Sequence, residues 1–280
     1  LKVLKLKAMK PLKNHTLLYD TQCPLCAAYT SGFIRAGMLD QSGRTPYEDG
    51  IELYGATVDP VRARNEIALV NNNDGSVMYG LDSLRFIIGH QSALLKKWLN
   101  CKLLLMVLRQ FYAFISFNRK VIAPVPQAAT SSCVPEFHIG YRLAYLLFAS
   151  LLVSFTWFRS LSYIHLPSLQ LQAWQVACFF SGQLVFQAML LGATRYTRTS
   201  IFDYLGHLCT STLVGSFALI PVGIFSATNP VFPTLLYGCC LLAALLSLFI
   251  HQKRIRRSKA PYWLNFSLLI YDGLTLTLIL

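Results

Sequence analysis

Cys23 and Cys26 stand three residues apart, with Asp20 before them and Pro24 and Leu25 between. In a helix, that spacing puts two thiols on one side, one turn apart. The preceding His15–Asp20 is a short apolar run read as a buried strand, and Cys23–Leu39 as the helix after it. Cys23 then falls at the N-cap and Pro24 at the first helical position, where unpaired backbone N–H groups converge. Those donors and the helix dipole favour a thiolate, the reactive form of cysteine. Cys26 is placed to resolve a mixed disulfide formed on Cys23. Asp20 has three readings: its charge opposes a thiolate, its carboxyl relays a proton, or it fixes the strand-to-helix turn through backbone hydrogen bonds. The last is favoured.

Two other chemistries fit a CxxC less well. A zinc site needs four ligands, and His15, Cys101 and Cys133 lack partner spacing. Two structural thiols would serve as small apolar side chains, but the proline between them and the strand before them favour redox work. Nothing in the sequence calls for a cofactor or a metal.

The elements that must position the pair alternate through Met9–Lys120. A loop at Gln41–Pro46 precedes a weak strand within Tyr47–Ala56, and Val58–Asn65 reads as a short helix. Glu66–Val70 and Val77–Tyr79 flank Asn71-Asn-Asn-Asp-Gly75, a strong hairpin signal. Leu81–Gly89 and Leu103–Asn118 read as helices, the first started by Gly80 or capped by Asp82. The order β-α-β-α-β-β-α with a CxxC after the first strand is a thioredoxin-like layout.

The remainder of the chain is of another kind. The 280 residues are 54% hydrophobic and 13% charged, about half the charge of an average soluble domain. Ten of the twelve acids precede Phe137, and only Asp203 and Asp272 follow. Five apolar segments, Tyr141–Tyr163, Leu171–Leu191, Ile201–Phe225, Val231–His251 and Tyr262–Leu280, approach the ~20 residues that cross a bilayer as a helix. Loops after the second and fourth hold Arg195, Arg198, Lys253, Arg254, Arg256, Arg257 and Lys259, whereas those around His165–Ser168 and Ser226–Pro230 hold no Lys or Arg. The positive-inside rule then puts the CxxC domain in the cytoplasm, on a multi-pass protein of the cell's inner membrane. The start, Leu1–Lys10, interleaves lysines with apolar residues and has no continuous apolar stretch, so it is not a signal peptide. It reads as a solvated basic arm, the alternative being a contact with anionic headgroups. The net charge of +13 is accounted for by this arm and the basic loops, and requires no nucleic acid.

Polar groups inside the apolar segments are a second set of candidates. Asp203 and His207 lie one helical turn apart, either as a hydrogen-bonded pair or as part of a proton or cofactor site. Asp272 lies about 15 Å along its helix from Tyr262, a depth at which ionisable groups are costly and usually partnered. His207 is its first candidate partner. Cys178, Cys209, Cys239 and Cys240 read as packing side chains ahead of a transmembrane dithiol relay.

Asp20, Cys23 and Cys26 form D-x-x-C-x-x-C, and the chain resembles the DCC family of thiol–disulfide oxidoreductases. Asp74–Leu84 and Tyr112–Arg119 resemble that family's later motifs. The resemblance covers about Thr16–Lys120 and implies a thioredoxin-like domain with a redox cysteine pair. One feature departs from it: thioredoxin-fold enzymes carry a proline just before the strand facing the CxxC, and Arg62-Ala-Arg-Asn65 has none, Pro60 being too early. The expected organisation is a basic arm (1–13), a thioredoxin-like α/β domain (14–120), a linker (121–140) and an all-α transmembrane bundle of about five helices (141–280). The expected function is thiol–disulfide exchange with a protein dithiol or disulfide partner at the cytoplasmic face. The membrane half either anchors that domain or docks it to a larger membrane assembly. The competing reading is a non-enzymatic accessory subunit whose thioredoxin-like domain only binds.

Overall fold

The structure, a computed structural model, describes residues 10–124, 133–163, 171–222, 233–258 and 260–279, with only the backbone at 233–234 and 276–279. Most of the basic arm and the two loops free of Lys and Arg lie outside the described residues. The chain divides into two compact units, Leu1–His138 and Ile139–Leu280.

In the first unit, β1 (His15–Tyr19) leads through α1 (Pro24–Arg35) to β2 (Arg44–Pro46), then α2 (Tyr47–Tyr54) and α3 (Pro60–Asn65). The hairpin β3 (Ala68–Asn71) and β4 (Val77–Tyr79) follows, then α4 (Gly80–Gln91), α5 (Ala93–Leu99) and α6 (Lys102–Ile122). The sheet order is β2-β1-β3-β4, with β1 parallel to β2 and antiparallel to β3, and β3 antiparallel to β4. Successive strand residues point to opposite faces, and both faces are covered. Leu17 and Leu69 pack with Leu12, Leu39, Ile67 and Ile87. Leu18, Ala68 and Val70 pack with Tyr47, Val58, Ala63 and Cys133. Burial on both faces is why β1 reads as a continuous apolar run rather than an alternation. The expected hairpin is present, and Gly75 takes the positive φ of 71° that its turn requires.

Several expected boundaries are corrected. The stretch Tyr47–Ala56, read as a weak strand, is the helix α2, and the strand is the Arg44–Pro46 segment of the expected loop. Tyr47, Gly50, Ile51 and Tyr54 recur at helical spacing toward the core, and Glu48 and Asp49 favour the helix N-terminus. The helix α1 stops at Arg35 rather than Leu39 because Gly37 turns the chain at φ 68°. Leu39 then enters the core beside Leu12, whose N–H donates to Met38 O at 2.9 Å. Asp82 does not cap α4, which begins at Gly80 after Tyr79, and bonds Arg85 instead. Helix α5 was not foreseen. Part of the 121–140 segment also packs into this unit: Cys133 is buried in its core, and Glu136 N–H donates to Asn65 Oδ1 at 2.8 Å.

Gly50 is where α2 passes closest to β1, and a Cβ there would collide with the Leu18 side chain. Gly50→Ala is expected to destabilise the protein by about 1–3 kcal/mol through overpacking, read as a lower thermal midpoint. An unchanged midpoint would show that Leu18 can yield.

The second unit contains α7 (Ile139–Leu161), α8 (Ala173–Gly192), α9 (Arg198–Ser216, extended by a 3-10 turn), α10 (Pro233–Ser258) and α11 (Trp263–Ile279). Among the described residues, four helices are long and apolar enough to cross a membrane: Ile139–Leu161, Ala173–Gly192, Arg198–Val222 and Leu235–Ser258. The fifth expected segment is the helix α11, described over 17 residues. Helix α9 is the most enclosed of the four and packs against α7, α8 and α10. The expected loop from Gln252 is helical as far as Ser258, and Arg254, counted there as a loop cation, is buried.

Candidate functional site

The strand β1 ends at Tyr19, and Asp20 makes the turn into α1. Its Oδ1 accepts from Gln22 N–H at 2.9 Å and from Cys23 N–H at 3.2 Å. This places Cys23 as N-cap in extended conformation (φ −84°, ψ 109°), with Pro24 following. Cys23 Sγ accepts from Cys26 N–H at 3.3 Å. The carboxyl therefore has the turn-fixing contacts, and the sulfur sits at the helix start as the spacing predicts.

Both cysteines are free thiols, and both are buried, Cys23 at 1% and Cys26 at 3% exposure. The enclosed turn and the packing around it leave neither thiol open.

A buried arginine on α6 completes the site. Arg119 Nη2 lies 3.9 Å from Asp20 Oδ2 and donates to Arg64 O and Cys133 O, each at 2.8 Å. Cys133 Sγ is 3.7 Å away. Burial opposes the guanidinium charge, but Cys26, Cys133, Cys23 and Asp20 outweigh it and hold Arg119 protonated. Sequence reasoning did not single out Arg119 as functional. The only signal was its place in the Tyr112–Arg119 motif, since nothing local shows that α6 folds back on the β1–α1 turn.

The two thiols are driven apart electrostatically. The Cys26 thiol donates to Cys23 and lowers the latter's pKa to about 7, helped by Cys26 N–H and Arg119 and opposed by burial and Asp20. The same hydrogen bond and burial raise Cys26. Burial raises Asp20 too, against the N–H donors and Arg119, and raises Cys133 to about 12. At neutral pH the arrangement thus leaves about half of Cys23 ionised and keeps Cys26 a protonated thiol. Iodoacetamide alkylation of Cys23 in the reduced chain should rise with a midpoint near pH 7, against ~8.5 for a free thiol. A midpoint of 8.5 or above would reject this environment. The sign follows for stability: a thiol pKa depressed by folding stabilises the reduced fold fully above ~8.5, and that contribution is lost as pH falls through 7.

In the second unit basic side chains from neighbouring helices meet both Asp203 and His207. Arg142 on α7 meets Asp203 at 2.9 Å. Arg254 Nη1 lies 3.3 Å from His207 Nδ1. Asp272 does not meet His207, and among the described residues its carboxyl has no hydrogen-bond partner. Helix α11 packs on α8, where Tyr271 O–H donates to Phe179 O at 3.0 Å, so similar depth did not bring the two side chains to facing sides. A polar chain that sequence reasoning missed joins four helices. Tyr204 O–H is 3.2 Å from His251 Nε2, His251 Nδ1 is 3.0 Å from Asn265 Oδ1, and Ser267 O–H donates to Gln187 Oε1 at 3.0 Å. Cys178, Cys209, Cys239 and Cys240 are free thiols on α8, α9 and α10. Among the described residues no cluster of three or more His, Cys, Asp or Glu could hold a metal ion.

Fold and site together define a membrane protein with four candidate spans and a small α/β unit carrying a buried CxxC pair. No family model, curated protein or solved structure matches the chain.

Proposed function

We propose that the protein is a membrane-anchored thiol–disulfide oxidoreductase working through Cys23 and Cys26. The observation that carries this reading is the polarised pair: a sulfur at a helix N-cap with a pKa near 7, hydrogen-bonded to a neighbour held as thiol. The thioredoxin-like assignment is supported by the strand order, the parallel β1–β2 pair joined through α1, and the antiparallel β3–β4 hairpin, while membership of the DCC family rests on the D-x-x-C-x-x-C resemblance alone.

In the exchange, Cys23 thiolate attacks one sulfur of a partner disulfide and releases the other as a thiolate. Cys26, losing its proton, then attacks Cys23 Sγ and releases the second partner thiolate. The partner gains two electrons and two protons, and the chain is left with a Cys23–Cys26 disulfide. Because Cys23 is 1% exposed, docking must open the site locally. That burial, and the absence of a proline before β3, favour the second reading, an accessory subunit whose unit only binds. The reduction potential of the Cys23–Cys26 couple in the full chain distinguishes them. A potential within the range of cellular dithiol exchangers, about −270 to −120 mV, supports exchange, and a couple that does not titrate supports the accessory role.

The site faces the cytoplasm in this reading, as the basic loops suggest. Position 52 is exposed on α2, and a Glu52→Cys chain should react there with a membrane-impermeant maleimide only after cells are opened. Modification in intact cells would reverse the orientation.

A further inference from the structure

Helices α5 and α6 meet at a 77° bend and leave an apolar face without a protein neighbour among the described residues. Leu94, Trp98, Leu103, Met106, Val107 and Phe111 are each more than half exposed, and α5 buries no residue at all. Soluble surfaces rarely expose so large a contiguous apolar patch. We infer that this hairpin is a second membrane contact of the chain, lying in the headgroup region of a bilayer that contains anionic phospholipid.

Two observations select that occupant. The first is charge. No acidic residue occurs between Asp82 and Glu136, while Lys96, Lys97, Lys102 and Arg109 lie on the hairpin itself. An apolar stripe edged by cations, with a tryptophan on it, is the pattern of a helix lying in the plane of an anionic interface. A protein already carrying four candidate spans always has such a surface at hand.

The second is length. By composition α5 and α6 together could form one broken span, but the C-terminal half of α6 is committed elsewhere. Ile67 N–H donates to Tyr112 Oη at 3.2 Å, Ser116 O–H donates to Asn65 O, and Arg119 binds Arg64 O. Only Lys102–Phe111 remains for lipid, ten residues rising about 15 Å, half of the ~30 Å apolar core. The hairpin therefore lies along the interface and does not cross. Arg119 belongs to the thiol site and stands on this same helix, so α6 links the redox pair to the membrane surface.

The test uses the full chain reconstituted in phosphatidylcholine vesicles, with or without 30% phosphatidylglycerol, each containing a trace of phosphatidylcholine bearing a photoreactive diazirine in its acyl chain near the headgroup. After irradiation, lipid adducts are located by mass spectrometry, with α7 as internal control. Residues 93–111 should carry adducts in the anionic vesicles. They should carry at least about fivefold fewer in the neutral vesicles, or when Lys96, Lys97, Lys102 and Arg109 are all changed to Gln, since each cation near such a surface contributes about that factor. Adducts on α7 with none on 93–111 would overturn the inference. Labelling of 93–111 independent of lipid charge would do so as well, as would cross-links from this segment to a second copy of the chain in place of lipid.

Discussion

A chain carrying Cys26→Ser should accumulate a stable mixed disulfide with its partner, whereas Cys23→Ser should lose exchange altogether. The asymmetry follows from the site. Cys23 is the sulfur that receives the helix-start N–H and the neighbouring thiol hydrogen, and its pKa near 7 leaves about half of it ionised at neutral pH. Cys26 is held as a thiol and acts second. Removing Cys23 removes the attacking atom; removing Cys26 removes only the atom that releases the trapped partner. The measurement is reduction of insulin disulfides by the reduced full chain, with mixed disulfides resolved on non-reducing gels. The variants should fall to the uncatalysed rate, and only Cys26→Ser should retain a covalent adduct. Adducts on Cys23→Ser, or an unaltered rate in either variant, would reject the assigned roles. An inactive unsubstituted chain would point to the accessory reading.

The second large effect is expected at Arg119. Arg119 is 6% exposed, and its guanidinium lies beside Asp20 and donates to two backbone carbonyls. Arg119→Leu leaves a buried carboxyl without its cation and strands the carbonyls of Arg64 and Cys133. Breaking a buried pair in this way costs about 3 kcal/mol or more. It also withdraws a positive charge from Cys23, so the alkylation midpoint should move upward from pH 7. Because the leucine variant can fail for stability alone, Arg119→Lys is the sharper probe. It keeps the charge but cannot reproduce the planar fork of donors. The lysine chain should hold the Cys23 midpoint within a few tenths of a unit while losing stability. A Cys23 midpoint unmoved by either substitution would show that Arg119 is only structural.

The relation between sequence and structure differs sharply between local and distant features. The turn at Asp20–Cys26 was legible because its determinants are adjacent: an acid that bonds N–H groups two and three residues ahead, a cap, and a proline at the first helical position. The β3–β4 hairpin was legible from Asn71–Gly75, and four of the five expected segments, as candidate spans, from length and apolarity. The weak strand read within Tyr47–Ala56 is the helix Tyr47–Tyr54, because a segment of eight residues with an aromatic at each end fits either period until the face it buries is known.

What only the tertiary structure decided depends on azimuth and on contacts across many residues. The depths of His207 and Asp272 follow from helix rise, but whether their side chains face each other depends on how the helices pack, and here Arg254 takes His207 while α11 leans on α8. Arg254 looked like a loop cation because charge at a segment's end resembles a boundary; the helix continues and buries it. Arg119 is 96 residues from Cys23 along the chain, by subtraction of their numbers, and no local pattern states that α6 returns to the first turn. Residue order determined by itself a thiol pair poised at a helix start on a chain made for lipid. The charge that polarises that pair, and the burial that restricts access to it, arise only when distant segments pack, because electrostatics and burial depend on distance in space and not along the chain.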